Sequence, residues 1–142
     1  MIIRELDKND YYMGYLELLS QLTDCPNVSY FEFCRQLLRM MNNKYHKIFV
    51  IEEKNKIIGS ITCIIELKII HGLKNVGHIE DLVIDKNERG NDFGGKLIDL
   101  CINFCENNNC YKIILDCNDK YKKYYEKKGF VNENIQMCLR LI

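Results

Sequence analysis

Residues 76–117 read VGHIEDLVIDKNERGNDFGGKLIDLCINFCENNNCYKIILDC. The apolar run Ile79 to Ile84, broken by Glu80 and Asp81, has the length and branched content of a strand. ERGNDFGGKL, residues 88–97, then puts Gly90, Gly94 and Gly95 within six positions. Apolar residues recur with helical period over 94–108 until the run Asn107 to Asn109, and YKIILDC is another strand. At a junction from strand to helix, unpaired backbone N–H groups and the helix dipole favour an anion, with phosphate the obvious candidate. The competing explanation is a tight turn whose glycines only supply positive φ.

Working outward, MIIREL reads as a first strand, and Tyr12, Leu16, Leu19 and Leu22 follow helical spacing. Ser29 and Glu32 form an S-x-x-E capping box that starts a second helix, with Phe33, Leu37, Leu38 and Met41 behind it. HKIFVIEE and KIIGSITCIIEL flank Lys54 to Lys56 as a hairpin. After YKIILDC, a short helix over Tyr121 to Lys128 stops at Gly129, and NIQMCLRLI, residues 134–142, closes the chain as a strand. Hairpins first and crossover helices later predict an α/β (α+β) fold, a mixed central sheet with helices on both faces.

One domain spanning 1–142 is expected from the length, since 142 residues can bury a real core. Basic and acidic residues number 20 each, which removes any global electrostatic case for a nucleic-acid or membrane partner. No apolar run approaches the roughly 18 residues of a membrane span. MIIRELDKND lacks a signal-peptide pattern, so a cytoplasmic protein is expected. Among the eight cysteines, Cys63, Cys101, Cys105, Cys117 and Cys138 sit inside apolar patterns and read as reduced core residues. Cys101 and Cys105 have no second pair and the three histidines are scattered, so no metal is expected.

Two chemistries compete for the glycine loop. Gly90, Gly95 and Lys96 satisfy G-x-x-x-x-G-K, but Leu97 stands where a nucleotide P-loop needs a metal-bound hydroxyl. Arg89 to Gly94 fits R-x-x-G-x-G at its first and sixth positions, with Asp92 in place of the fourth-position glycine. This resembles the acetyl-CoA pyrophosphate loop of the GNAT superfamily of N-acetyltransferases. GHIEDLVI, the loop, CYKIILDC and KKYYEKKGF together resemble, in order and spacing, its glucosamine-6-phosphate N-acetyltransferase branch. The likeness is strongest from Glu66 to Phe130. It implies a GNAT-like, mostly antiparallel sheet and direct acetyl transfer from acetyl-CoA to the amine of glucosamine 6-phosphate, supplying UDP-N-acetylglucosamine synthesis.

The chemistry needs a neutral amine, a polarised carbonyl and a stabilised thiolate. No cysteine has the positioned histidine of an acyl-enzyme nucleophile, which favours direct attack in a ternary complex. The resemblance implies that Tyr125 donates to the leaving sulfur. It also implies that Glu80 and Asp81 contact the sugar amine and hydroxyls, and that the Asp116 carbonyl accepts from the amine. Regular pleating would send Glu80 and Asp81 to opposite faces, so a shared site needs a bulge. For the coenzyme, the resemblance implies Leu82, Val83 and Ile84 on the strand; Arg89, Gly90, Asn91, Asp92, Phe93, Gly94, Gly95 and Lys96 in the loop; and Asn118, Tyr125 and Lys127 beyond it. Thr23, Lys68 and Arg140 are the implied sugar-phosphate contacts, with Arg140 reaching the neighbouring subunit of a homodimer. Another small or protein amine as acceptor, and an acyl-CoA-binding module without turnover, are the alternatives.

Overall fold

The computed structural model describes all of residues 1–142. Five strands form one sheet in sequential order: β1 (Ile2–Glu5), β2 (His46–Glu53), β3 (Lys56–Glu66), β4 (Asn75–Ile84) and β5 (Cys110–Ile114). The first three pairings are antiparallel and β4 runs parallel to β5. A parallel neighbour requires a crossover, which is the helix α4 (Phe93–Asn107). The mixed, mostly antiparallel sheet is as expected.

Local chemistry sets the junctions. Lys54 and Asn55 have φ of 51° and 59° and make the two-residue turn between β2 and β3, the geometry that matches strand twist. Helix α2 (Tyr30–Met41) begins with the expected box: Glu32 N donates to Ser29 Oγ at 3.1 Å and Ser29 N to Glu32 Oε2 at 2.8 Å. Helix α5 (Lys122–Glu126) is followed by Gly129 at φ 93°. The β3–β4 connection holds a single turn, α3 (Ile70–Leu73), with left-handed His71 and Gly72 inside it.

Two cores sandwich the sheet. On one side Ile51, Ile61, Ile79, Leu97, Ile98 and Cys101 pack beneath α4. On the other, Tyr15, Leu18, Phe33, Leu37, Val50 and Ile57 join the sheet to α2 and to α1 (Tyr15–Leu19). Helices therefore cover both faces.

The structure departs from the sequence reading in four places. The first helix is split into a 3-10 helix, Lys8–Met13, and α1, because Gly14 takes φ 80° between them. Leu38 and Met41 face solvent, so only Phe33 and Leu37 anchor α2 as buried residues. NIQMCLRLI is no strand: residues 131–142 leave the body, and Ile135, Met137, Leu139 and Leu141 are 85–91% exposed. Its alternating pattern marks a strand-capable segment, and within one chain nothing pairs with it. Cys117 and Cys138 are consequently exposed rather than core residues, one beyond the end of β5 and one on this arm; all eight cysteines are free thiols, as expected.

Gly77 of β4 is buried against α4, and a Cβ there would fall on Cys105 Sγ, itself 3.6 Å from Cys63 Sγ. Overpacking of this kind costs roughly 1–3 kcal/mol. Gly77→Ala should lower Tm, and adding Cys105→Ala should return part of the loss by removing the sulfur. Equal thermal stability of Gly77→Ala and the parent would refute this packing.

Candidate active site

The site begins where β4 is irregular. Ser60 pairs with Val83 and Thr62 with Glu80, so Ile61 alone faces Asp81 and Leu82, and Asp81 adopts φ 53°. This is the bulge that adjacent carboxylates need, because the extra residue breaks the two-residue alternation. Pairing of β4 with β5 ends at His78 and Ile114. Beyond it the backbone of Leu82, Val83 and Ile84 has no strand partner on that side. Unpaired strand backbone suits an extended amide-containing ligand, by the logic of strand addition.

Three of the expected groups line one cleft, while Asp81 is exposed and is not among its lining residues. A cleft of about 890 Å³ is lined by Glu80, Asp116, Cys117 and Tyr125, together with His78 and residues of the arm. Burial raises the Glu80 carboxyl above the ordinary range, and the Asp116 and Asp81 carboxylates add to the shift. A raised carboxyl makes a stronger base for an ammonium proton. Burial, followed by the fields of Tyr124, Cys117, Tyr121 and Asp116, pushes the Tyr125 hydroxyl up to about 12. It stays protonated at neutral pH and is therefore a donor. Asp116 lies two residues past β5, where no ladder claims its backbone.

The glycine loop lies off this cleft and joins it through α5. The Tyr124 hydroxyl occupies the space that a Cβ on Gly94 would need, and the Asp92 carboxylate does the same at Gly95. Gly90 serves differently, supplying φ 89°. Asp92 itself is left-handed at φ 56°, with its carbonyl accepting from Lys96 N at 3.1 Å and its side chain capping nothing. Arg89 Nε donates to the Ile84 carbonyl at 3.2 Å, and Asn91 Nδ2 to the Glu88 carbonyl at 3.2 Å, which folds the loop back on the end of β4. Phe93 is half-buried, with the Lys96 ammonium 5.5 Å above its ring. Asn118 precedes the 3-10 turn before α5, and Lys127 is exposed just after that helix.

Three expected phosphate contacts do not converge on the carboxylates. Thr23 is exposed on the connection after α1. Lys68 pairs with Glu66 at 2.7 Å, and Glu66 Oε2 lies 2.8 Å from Nε2 of His78, two residues before Glu80 on β4. Arg140 stands exposed on the arm. The sequence reading also passed over Tyr124, Asp85 and Lys56, which shape the loop, and Gln21, which accepts from Lys86 N ahead of it. A charge directly after an apolar strand was the only signal for Asp85, and the contacts of the others depend on distant segments. No group of three or more His, Cys, Asp or Glu side chains is arranged to hold a metal ion, and no helix is long and apolar enough to cross a membrane.

A parted strand pair and a glycine loop at the N-terminus of the crossover helix suit an extended ligand that carries an anionic group. Residues 4–130 match the acetyltransferase (GNAT) family model. Glucosamine 6-phosphate N-acetyltransferase of Arabidopsis thaliana is 39% identical over 138 residues, 95% of this chain and 93% of the relative. The Trypanosoma brucei brucei protein of the same name is 38% identical over 141 residues, covering 98% and 95%. The crystal structure of the Arabidopsis enzyme superposes with a TM-score of 0.96 at 38% identity, covering 99% of this chain and 98% of that one. The chain therefore belongs to the GNAT acetyltransferases and, within them, to the glucosamine 6-phosphate N-acetyltransferase family.

The raised Glu80 has a stability consequence. A carboxyl whose folded value exceeds its unfolded one binds more protons in the native state, so stability falls as pH rises through that window. Glu80→Gln should melt above the parent at pH 7 and lose that advantage below about pH 4, where the unfolded carboxyl is also neutral. Melting curves across this range test it, and a pH-independent difference would rule out the charge as its cause.

Proposed function

We propose that the chain transfers the acetyl group of acetyl-CoA to the amine of D-glucosamine 6-phosphate, giving N-acetyl-D-glucosamine 6-phosphate and CoA. The observation that carries the chemistry is the meeting of Glu80, Asp116 and Tyr125 at one cleft beside the parted strands. The sugar phosphate comes from the names of relatives that match over nearly their whole length. Acceptance of another amine, or binding without turnover, has no observation in its favour.

In this reading residues 1–142 are one catalytic domain, and the coenzyme lies along Leu82, Val83 and Ile84. Arg89, Gly90, Asn91, Asp92, Phe93, Gly94, Gly95 and Lys96 surround its pyrophosphate, with Asn118 and Lys127 flanking it. Glu80, Asp81 and the Asp116 carbonyl hold the amino sugar. The ammonium loses its proton toward Glu80, and the free amine attacks the thioester carbonyl. The carbon–sulfur bond then breaks while Tyr125 donates to the departing sulfur. The reaction feeds UDP-N-acetylglucosamine synthesis in the cytoplasm.

Thiol release from acetyl-CoA across a panel of amines tests the substrate, and glucosamine 6-phosphate should exceed both unphosphorylated glucosamine and lysine peptides in kcat/KM. Tyr125→Phe should reduce kcat by about 10² to 10⁴-fold, the usual contribution of a positioned acid, while leaving both KM values near the parent's. An unchanged kcat would mean that the thiolate leaves unaided.

The proposed active unit is a homodimer. The arm exposes an alternating apolar row beside β5, an edge strand, and an unpaired edge is a template for a strand from another chain. An arm lying on the partner would bring Arg140 to the partner's phosphate site, with Thr23 and Lys68 completing it. Arg140→Ala should raise the KM for glucosamine 6-phosphate far more than that for acetyl-CoA. Mixing Arg140→Ala chains with loop-disabled Gly94→Val chains should restore activity once subunits exchange. Proven heterodimers without restored activity would place Arg140 outside the partner's site.

A further inference from the structure

The coenzyme loop is anchored at its base by one buried acid. Asp85, 2% exposed, follows the last residue of β4. Its Oδ2 accepts from Lys56 Nζ at 2.6 Å and its Oδ1 from Asn87 N at 3.0 Å. Its own N–H donates to the Ile58 carbonyl at 2.8 Å, and its carbonyl accepts from Glu88 N at 2.8 Å. Every polar group of this residue is thus engaged in fixing where the loop leaves the sheet. The Lys56 ammonium, and after it the Asn87 N–H, hold the carboxyl below its ordinary range, and the Gln21 amide contributes in the same direction.

Gln21 adds a second connection. Its Oε1 accepts from Lys86 N at 2.9 Å, across 65 positions of sequence. Residues 22–29 contain no helix or strand and are nearly all exposed; the stretch contains Thr23, and Leu22 N and Thr23 N donate to the Leu19 carbonyl at 2.9 and 3.3 Å. Its other long-range anchor is at the far end, where Tyr11 donates from its hydroxyl to the Val28 carbonyl at 2.8 Å. Gln21 alone supplies the hydrogen bonding between the start of this segment and the coenzyme loop.

We propose that Gln21 is a positioning residue that couples the two substrate sites: a coenzyme that orders the Asp85–Lys96 loop also orders the Thr23 segment, and the sugar phosphate acts on the loop in return. The reason is reciprocal linkage. A bond between two segments lets the second ligand meet a partner that the first has already restrained, so each ligand must tighten the other by the same factor. This rests on the assignment of the loop to the coenzyme and of Thr23 to the sugar phosphate.

The test is the affinity of CoA, measured by titration calorimetry on the full chain with and without saturating glucosamine 6-phosphate; CoA lacks the acetyl group, so nothing turns over. In the parent the sugar phosphate should tighten CoA by about two- to tenfold, the range expected of one hydrogen bond. Gln21→Met, which keeps the side chain's length without its polar atoms, should bring that factor close to one, leaving CoA affinity alone near the parent's and Tm within a few degrees. Gln21→Ala checks the same outcome with a smaller side chain. A factor that survives both substitutions, or a parent that shows none, overturns the proposal. Arg89→Ala separates the underlying reading: if CoA binds it as tightly as it binds the parent, the loop assignment fails, whereas weakened CoA with an intact factor in Gln21→Met condemns the coupling alone.

Discussion

The bulge in β4 is the constraint on which the site depends. One left-handed residue, Asp81, is inserted opposite Ile61, and the strand beyond it leaves the line that would have kept it paired with β5. Non-glycine residues resist positive φ, so this conformation must be held by the pairing of β3 with β4 on both sides of it, at Thr62 with Glu80 and Ser60 with Val83. Two results follow from the same distortion. Glu80 and Asp81 escape strict alternation, and the backbone of Leu82 to Ile84 is left available to a ligand.

Around that opening the two cores perform different tasks. The core beneath α4 fixes the helix whose N-terminus carries the glycine loop, through Leu97, Ile98, Cys101 and Cys105. The opposite core fixes α1 and α2 and hence both ends of the exposed connection that holds Thr23. The glycine loop and the Thr23 connection therefore rest on different faces of the sheet, and polar contacts at the end of β4 are where the two supports meet. Asp85 can be buried there because Lys56 and the backbone satisfy it; without them an ionised carboxylate so enclosed would be strongly unfavourable.

The tyrosines of α5 link the loop to the chemistry. Tyr124 and Tyr125 stand edge to face, with centroids 5.3 Å apart. One fills the space above Gly94 and the other lines the cleft with Glu80 and Asp116. A displacement of the loop glycines thus reaches the Tyr125 hydroxyl through a single pair of rings. Apolar bulk at Gly94 is disfavoured by this contact.

Much of the fold was legible because its signals are local. The capping box at Ser29 and Glu32, the Lys54–Asn55 turn and Gly129 after α5 each act through atoms a few residues apart. The glycine loop between strand and helix was legible for the same reason, and it pointed to the correct family. Only the tertiary structure decided the bulge, since Glu80 and Asp81 read equally well as one surface and one structural carboxylate until β3 supplied the register. It also decided the fate of residues 134–142, whose alternation is strand-like but which pair with no strand of this chain and stay exposed, although β5 is an edge strand. Gln21 and Lys86 carry no mark of their contact, because a hydrogen bond across 65 positions depends on where two helices and a strand have been packed. Short-range backbone chemistry was written in the order of residues; which distant groups met was settled by burial of the two cores.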